Sequence, residues 1–194
     1  MSAIGDALLD QTNPVEALIV YNSNPVAVAP DSTKVRAGFA REDLFTVVLE
    51  HFQTDTADYA DIILPATTQL EHFDIHRAYG HLHILLNRPA IAPIGEARSN
   101  SRIFRGLTKS MRAALGGECA PLNDAALDAC DAQIALEAFD WDSKALQGTV
   151  TEDLFRQGHA RYAAPAAGVA PFAQGNFKTP DHKFWFTNPT LAEP

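Results

Sequence analysis

The sequence FTVVLEHFQTDTADYADIILP, residues 45–65, contains two short apolar runs that are separated by a polar loop. The runs at 45–49 and 62–64 are continuous rather than alternating, which is typical of strands buried on both faces of a parallel sheet. A third run of this kind lies at 17–21. Asp31 or Ser32 can cap a helix between the first two strands, so the spacing predicts a right-handed βαβ unit.

These patterns predict the α/β fold class, with a Rossmann-like parallel sheet flanked by helices and a less regular C-terminal extension. A helix capped by Ser99 or Asn100 is expected to end at Gly116, because serine and asparagine favour helix starts and glycine favours helix ends. Further predicted elements are a strand within 81–86, helices at 123–139 and 151–157, and a strand at 184–186. We divide the chain into a leader at 1–14, a Rossmann-like domain at 15–117, a helical extension at 118–159 and a linker at 160–194.

The composition is that of an ordinary globular chain with an acidic balance. Of the 194 residues 46% are hydrophobic, and 15 Lys and Arg against 24 Asp and Glu give a net charge of −9. The apolar content excludes disorder throughout, and the negative charge argues against general nucleic-acid binding. No apolar run reaches the roughly 18 residues of a membrane helix, so we predict no membrane partner. The two cysteines cannot bind an iron–sulfur cluster, and the absence of a visible signal peptide predicts a cytoplasmic location.

Signatures of several common enzyme classes are absent from the sequence. It contains no G-x-G-x-x-G, no Walker A loop, no G-x-S-x-G and no H-E-x-x-H. This argues against ordinary nicotinamide binding, nucleotide hydrolysis and serine hydrolase chemistry.

Polar residues lie beside the predicted strands, and parallel sheets bind ligands at the carboxyl ends of their strands. Asn22 and Asn24 follow the first strand, Thr54 and Thr56 follow the second, and Asp61 leads into the third. The amides and hydroxyls could bind a nucleotide or a phosphate, and the carboxylate could accept two N–H bonds from a guanine-like ring. A plain turn at the asparagines, a helix cap at Thr54 and a loop anchor at Asp61 remain open alternatives.

Four histidines form a second candidate site. His72 and His76 are four residues apart, which on a helix suits a metal ion, and His81 and His83 would share one face of a strand. Histidines that are solvated, or that are satisfied within the core, are the favoured alternative.

A basic stripe is expected on one face of the helix that begins near residue 99. Its members are spaced four, three, four and three residues apart, and they are Arg98, Arg102, Arg105, Lys109 and Arg112. A solvated face or a contact with an acidic segment is the favoured interpretation.

Three motifs, taken in order, resemble one known family. They are Asn24-Pro25 after an apolar strand, Thr54-x-Thr56-Ala57-x-x-Ala60-Asp61-Ile62-x-Leu64-Pro65-Ala66-Thr67-Thr68, and Glu71-x-x-Asp74-Ile75. Together they resemble the molybdopterin oxidoreductase superfamily of the dimethyl-sulfoxide-reductase type, whose cofactor is molybdopterin guanine dinucleotide. The resemblance is strong over about residues 15–112.

The resemblance implies a cofactor-binding part of a molybdenum oxidoreductase. The matching region is the family's third domain, and family members also carry an N-terminal region, a metal ligand and a C-terminal barrel. We therefore expect a truncated or excised domain that is not catalytic alone and whose partners are the remaining domains of the parent enzyme. The linker at 160–194 would lead toward the barrel. No catalytic or metal-ligating residue is expected in this chain.

The resemblance also implies roles for individual residues. Asn22 and Asn24 would bind pterin or nucleotide groups, and Thr54 and Thr56 would contact the pyrophosphate. Asp61 or Asp74 would accept the guanine N–H groups, and Asp74 is the preferred candidate. The cofactor would perform the oxygen-atom or electron transfer, while the protein positions it.

Two other functions remain open. The chain could be a stand-alone binding or interaction module that uses this fold without redox chemistry. It could also be a metal enzyme built on His72, His76, His81 and His83.

Overall fold

The computed structural model contains two small β-sheets and the helices that cover them. The residues that it describes are 3–77, 79, 81–116, 122, 124–142, 146, 151–161, 172, 175 and 177–186. The predicted α/β class is confirmed, because a parallel sheet flanked by helices forms the first part of the chain.

The first sheet has three parallel strands in the order β1-β2-β3. They are β1 (Ala17–Tyr21), β2 (Phe45–Glu50) and β3 (Ile62–Pro65), at the positions that the apolar runs predict. The register pairs Tyr21 with Leu49 and Glu50 with Pro65. The carboxyl ends of all three strands therefore lie at the same edge of the sheet.

One face of this sheet packs against the helices α1 (Ile4–Leu9), α2 (Pro25–Val28) and α3 (Ser32–Phe39). The N-terminus of α3 is capped as expected, because the Asp31 carboxylate accepts a hydrogen bond from the Lys34 amide. The core on this side contains Leu8, Val26, Val35, Phe39 and Val48, each at most 2% exposed. Leu8 belongs to the segment expected as a leader, and its burial makes that segment part of the core.

The opposite face of the sheet packs against a single long helix, α4 (Asn100–Leu115). Ile103 of this helix lies among Val47 and Leu49 of β2. The helix begins and ends as predicted, with Ser99 as its N-cap and Gly116 in the left-handed conformation at its C-cap. Its first turn consequently lies near the carboxyl ends of the strands.

The second sheet is antiparallel and has the order β4-β5-β6. Its strands are β4 (Asp74–Arg77), β5 (His83–Asn87) and β6 (His159–Arg161). The strand expected within 81–86 is confirmed as β5, the central strand. The predicted short helix is confirmed as α6 (Thr151–Gln157), and its Leu154 packs on Ile84 of β5 with both side chains 0% exposed.

Two expectations about local structure are wrong, and a third is largely untested. Residues 184–186 form no strand, although Phe184 contacts the Phe177 and Phe186 rings. The helix expected at 123–139 is broken into a short 3-10 helix (Ala125–Asp128) and α5 (Asp131–Glu137), because Ala129 and Cys130 are extended. Most of the predicted linker at 160–194 lies outside the described residues.

Among the described residues, no helix has both the length and the apolar character needed to cross a membrane.

Candidate functional site

A cleft of about 700 Å³ opens at the carboxyl edge of the parallel sheet. The ends of β1 and β2, the start of β4 and the first turn of α4 all contribute to its walls. Most of the residues that line it carry polar side chains, and they are Tyr21, Asn22, Ser23, Asn24, Glu50, His51, Thr67, Gln69, His72, Phe73, Asp74, His76, Ser99, Asn100 and Ser101. Three of the predicted site residues are therefore brought together here: Asn22, Asn24 and Asp74.

Asn22 connects the end of β1 to the start of α4. Its backbone has a φ of 51°, in the left-handed region that asparagine tolerates better than most residues. The Asn22 side-chain oxygen accepts a 2.8 Å hydrogen bond from Asn100 Nδ2. This contact joins two walls of the cleft.

Asn24 and Thr56 connect the loops that follow β1 and β2. Asn24 Oδ1 accepts hydrogen bonds from the Thr56 hydroxyl at 2.7 Å and from the Thr56 amide at 3.1 Å. The Thr56 hydroxyl, which is 0% exposed, also accepts a bond from the Val26 amide. The bonding capacity of Thr56 is thus used inside the protein, and the residue does not line the cleft.

Thr54 and Asp61 also lie outside the cleft lining. The Thr54 hydroxyl accepts a 3.4 Å bond from the Ala57 amide, which is the helix-cap alternative. Asp61 precedes β3 and accepts a 2.7 Å bond from the Thr46 amide near the start of β2. Asp61 therefore lies at the amino edge of the sheet, opposite the cleft, and anchors β3 to β2.

Asp74 lies between two histidines on the cleft wall. Its Oδ2 is 3.8 Å from Nε2 of His72 and 3.9 Å from Nε2 of His76, and its side chain is 48% exposed. His72 Nδ1 contacts the Thr67 hydroxyl at 2.9 Å, and His76 Nε2 contacts the side-chain amide nitrogen of Gln69. The second carboxylate oxygen accepts a bond from the Ile75 amide. The side chain is thus held in place while part of it faces the cleft.

Among the described residues, the histidines do not form the metal site that was left open as an alternative. His76 lies on β4 rather than one turn after His72 on a helix. In the part of the chain that the structure describes, no group of three or more histidine, cysteine or acidic side chains is arranged to hold a metal ion.

Glu71 supports the cleft from behind and is 6% exposed. Its carboxylate accepts bonds from the Thr68 hydroxyl and amide and from the Ile94 amide, each at 2.7 Å. These donors, led by the Thr68 hydroxyl, hold the pKa of Glu71 below its ordinary value. Glu71 belongs to the third sequence motif, but the sequence indicates no role for it, because a buried anchor leaves no periodic pattern.

The basic stripe on α4 partly contacts an acidic segment, as the favoured interpretation expects. Arg105 Nη1 lies 2.9 Å from Asp131, and Arg112 forms an ion pair of 2.8 Å with Asp128. Asp131 also accepts a bond from the Ser101 hydroxyl. These contacts hold α5 and the preceding 3-10 helix against α4.

Comparisons with known proteins agree with this architecture. A family model described as molybdopterin oxidoreductase matches residues 5–110, more than half of the chain. The probable oxidoreductase YoaE of Bacillus subtilis is 47% identical over 111 residues, which are 57% of this chain and 16% of that protein. The probable oxidoreductase YyaE of the same organism is 30% identical over 195 residues, which are 100% of this chain and 27% of that protein.

Two further relatives have a more specific description or a known structure. The dimethyl sulfoxide/trimethylamine N-oxide reductase of Cereibacter sphaeroides is 37% identical over 91 residues, covering 45% of this chain and 11% of that protein. Acetylene hydratase from Pelobacter acetylenicus superposes with a TM-score of 0.55 at 21% identity, covering 84% of this chain and 21% of that one. The last similarity concerns the fold alone. On the family model and these relatives, the chain belongs to the molybdopterin oxidoreductase family of the dimethyl-sulfoxide-reductase type.

Proposed function

We propose that this chain forms one wall of a binding site for molybdopterin guanine dinucleotide in a molybdenum-dependent oxidoreductase. The observation that carries the proposal is the cleft of about 700 Å³ at the shared carboxyl edge of β1, β2 and β3. Open α/β sheets bind ligands at this edge, and the cleft volume is in the usual range for ligand sites. The family's reductases support the choice of cofactor.

The donor set of the cleft fits such a group. Amide and hydroxyl side chains, which both donate and accept, predominate over charged ones in the lining. Within the described part of the chain, Asn22 uses only its oxygen, for the bond from Asn100, so its Nδ2 donor remains available there. A pterin or a guanine presents donors and acceptors along one edge, so neutral groups of this kind are suitable partners.

Asp74 is the residue that we propose for guanine recognition. Its half-exposed carboxylate, fixed by Ile75 and flanked by His72 and His76, can accept two N–H bonds from one ring edge. We propose that Asn24 acts with Asn22 at the end of β1. Thr54, Thr56 and Asp61 then contribute indirectly, since their own bonds hold loops and strands in place.

When bound, the cofactor supplies the oxygen-atom or electron transfer. This chain binds and orients it and is not catalytic alone. In this proposal its partners are the remaining domains of the parent oxidoreductase, and the location is cytoplasmic. The chain spans 16% and 27% of YoaE and YyaE, so the substrate is left to other parts of the enzyme.

The test uses the complete holoprotein that contains this chain. Asp74→Ala and Asn22→Ala are compared with the wild type and with Asp142→Ala, a control at an exposed aspartate away from the cleft. Guanosine monophosphate released by acid hydrolysis and molybdenum are measured per protein. Loss of a charge-assisted hydrogen bond predicts about tenfold weaker retention in Asp74→Ala, with the control unchanged. Equal nucleotide content in all variants would contradict the proposed site.

A further inference from the structure

The parallel sheet is incompletely covered on the face that packs against α4. Alternate side chains of a strand point to one face, and residues paired in register lie side by side on it. Ile19 of β1 pairs with Val47 of β2, and the next pair on this face is Tyr21 with Leu49. Val47 and Leu49, which pack beneath α4, are 9% and 1% exposed. Ile19 and Tyr21 are 48% and 51% exposed, so the cover that α4 provides ends between β2 and β1.

The uncovered surface continues along one side of α4. Phe104, Met111 and Leu115 are spaced seven and four residues apart, which places them on one stripe of the helix. Phe104 contacts the Tyr21 ring edge to face at a centroid distance of 5.2 Å, so this stripe lies on the β1 side of α4. Met111 and Leu115 are nearly half exposed, as is Phe45 at the start of β2. We call this surface the β1 trough, and its exposed apolar residues are Ile19, Tyr21, Phe45, Met111 and Leu115.

A helix is the element whose dimensions fit the β1 trough. Both faces of a parallel sheet are as a rule covered, and helices on one face lie about 8–10 Å apart, or roughly two strand spacings. A second helix beside α4 would therefore lie along β1, with Ile19 below it and Met111 at its side. Single exposed apolar side chains are ordinary, but a contiguous group of them marks an interaction surface.

A second copy of this chain does not supply a suitable helix. Among the described residues, α3 and α4 are the only helices of eight or more residues. The apolar side of α3 is already packed on the sheet through Val35 and Phe39. The outer side of α4 is covered by α5 and the preceding 3-10 helix, which its arginines bind through ion pairs. The helix is therefore expected from polypeptide outside these residues.

We propose that the β1 trough binds an amphipathic helix from another part of the parent oxidoreductase. This inference rests on the proposed function, which makes the remaining domains of that enzyme the partners of this chain. Polypeptide of this kind exists in the relative YyaE, because this chain spans 27% of its length. The bound helix would present apolar residues spaced three and four apart to β1. Because Tyr21 also lines the cleft, the helix would support that wall from outside.

Photo-cross-linking of the complete holoprotein tests the β1 trough. This chain contains only two methionines, Met1 and Met111, so photo-methionine places a nearly isosteric diazirine in the trough. A second probe, p-benzoylphenylalanine, is placed at Phe45. The control carries it at Val28, an exposed residue of α2 on the opposite face of the sheet. Mass spectrometry identifies the linked peptides, and circular dichroism checks the folding of each preparation.

We expect the probes at Met111 and Phe45 to link to the same peptide outside residues 1–194, with apolar residues at helical spacing. The probe at Val28 should not link to that peptide. Ile19→Asp should reduce the cross-link from Met111 about tenfold, because a carboxylate is costly to bury without a partner, and Val28→Asp should leave it unchanged. Links to residues 1–194 of a second molecule, links to two unrelated peptides, or no links from the trough would overturn the proposal.

The failure of this inference can be separated from the failure of the proposed function. If the trough probes link to such a helix but the holoprotein contains no guanine nucleotide, the docking surface stands and the cofactor assignment is wrong. If the holoprotein releases guanosine monophosphate but the trough probes do not link, the docking surface is wrong and the cofactor assignment stands.

Discussion

Thr56 joins two loops that are more than 30 residues apart, and its three hydrogen bonds keep the entrance to the cleft in one conformation. The side chain is fully buried, so water cannot replace a bond that is lost. Its importance is therefore geometric: Asn24 can face the cleft only while Thr56 holds it.

Thr56→Val tests this role, because valine has nearly the same shape but no hydroxyl. The Val26 amide would lose its acceptor, and we expect the free energy of unfolding to fall by about 1–3 kcal/mol. Thr54→Val is the matched control, since among the described residues that hydroxyl accepts only one long bond, and its expected loss is below about 1 kcal/mol. Urea unfolding of both variants measures the difference, and equal losses would contradict the role.

Glu71 is the second residue whose effect follows from its bonds. Its folded pKa is lowered, so the carboxylate form stabilises the protein at pH values above 4.5, the ordinary value. This contribution is lost as the pH falls through the lower pKa of the folded state. The Glu71 carboxylate stabilises the loops that carry Thr67, Gln69 and His72 of the cleft wall.

Glu71→Gln should therefore lower the melting temperature at neutral pH but much less in acid. Melting curves of the wild type and the variant between pH 3 and pH 7 measure the difference. We expect the two curves to begin to converge as the pH falls below 4.5 and to meet below the lowered pKa of the folded carboxylate, where Glu71 of the wild type becomes protonated. A difference in melting temperature that stays constant between pH 3 and pH 7 would show that the charge of Glu71 is not the cause of the stabilisation.

At the scale of residues, the sequence was most informative where a side chain directly follows a strand. The predicted positions of Asn22 and Asn24 at the end of β1 agree with the cleft lining. For Thr56 and Asp61 the position along the chain was clear, but the partners of their side chains were not. Such partners lie 15 or more residues away, and spacing along the sequence does not reveal them.

At the scale of elements, the contact between α4 and α5 depends on Asp131. Its carboxylate accepts bonds from Ser101 and Arg105 in the first two turns of α4. Because Ser101 also lines the cleft, this contact connects α5 to the cleft wall. The helix α5 is too short to stay folded without contacts to other elements.

Asp131→Asn should loosen α5 without unfolding the parallel sheet. We expect a loss of about 1 kcal/mol and faster hydrogen exchange within Asp131–Glu137, because one charge-assisted contact is weakened. Asp128→Asn is the control, because Asp128 also pairs with an arginine, Arg112, but its side chain is 60% exposed. Hydrogen exchange that is equally fast in both variants would argue against a specific role for Asp131.

The sequence predicted elements well where the pattern was local. Continuous apolar runs identified β1, β2 and β3, and capping residues identified α3 and α4. The second sheet was recognised only in β5, since β6 pairs with it from more than 70 residues further along. The aromatic run at 184–186 was misleading, because its rings contact one another rather than a neighbouring strand.

At the scale of the whole molecule, the proposed function requires an acidic chain to bind an anionic dinucleotide. The net charge of −9 opposes this over long distances, so local donors have to compensate. In the proposed site these donors are the amide and hydroxyl side chains that line the cleft, among them Asn22 and Asn100. We therefore expect retention of the nucleotide to depend on these groups and not on the overall charge.

The most direct test is a chemical analysis of the cofactor in the purified holoprotein. Molybdenum is measured by mass spectrometry, and the nucleotide released by mild acid is identified by chromatography. We expect molybdenum and guanosine monophosphate to be present together. A holoprotein that contains molybdenum with a pterin but no guanine nucleotide, or that contains no molybdenum, would contradict it.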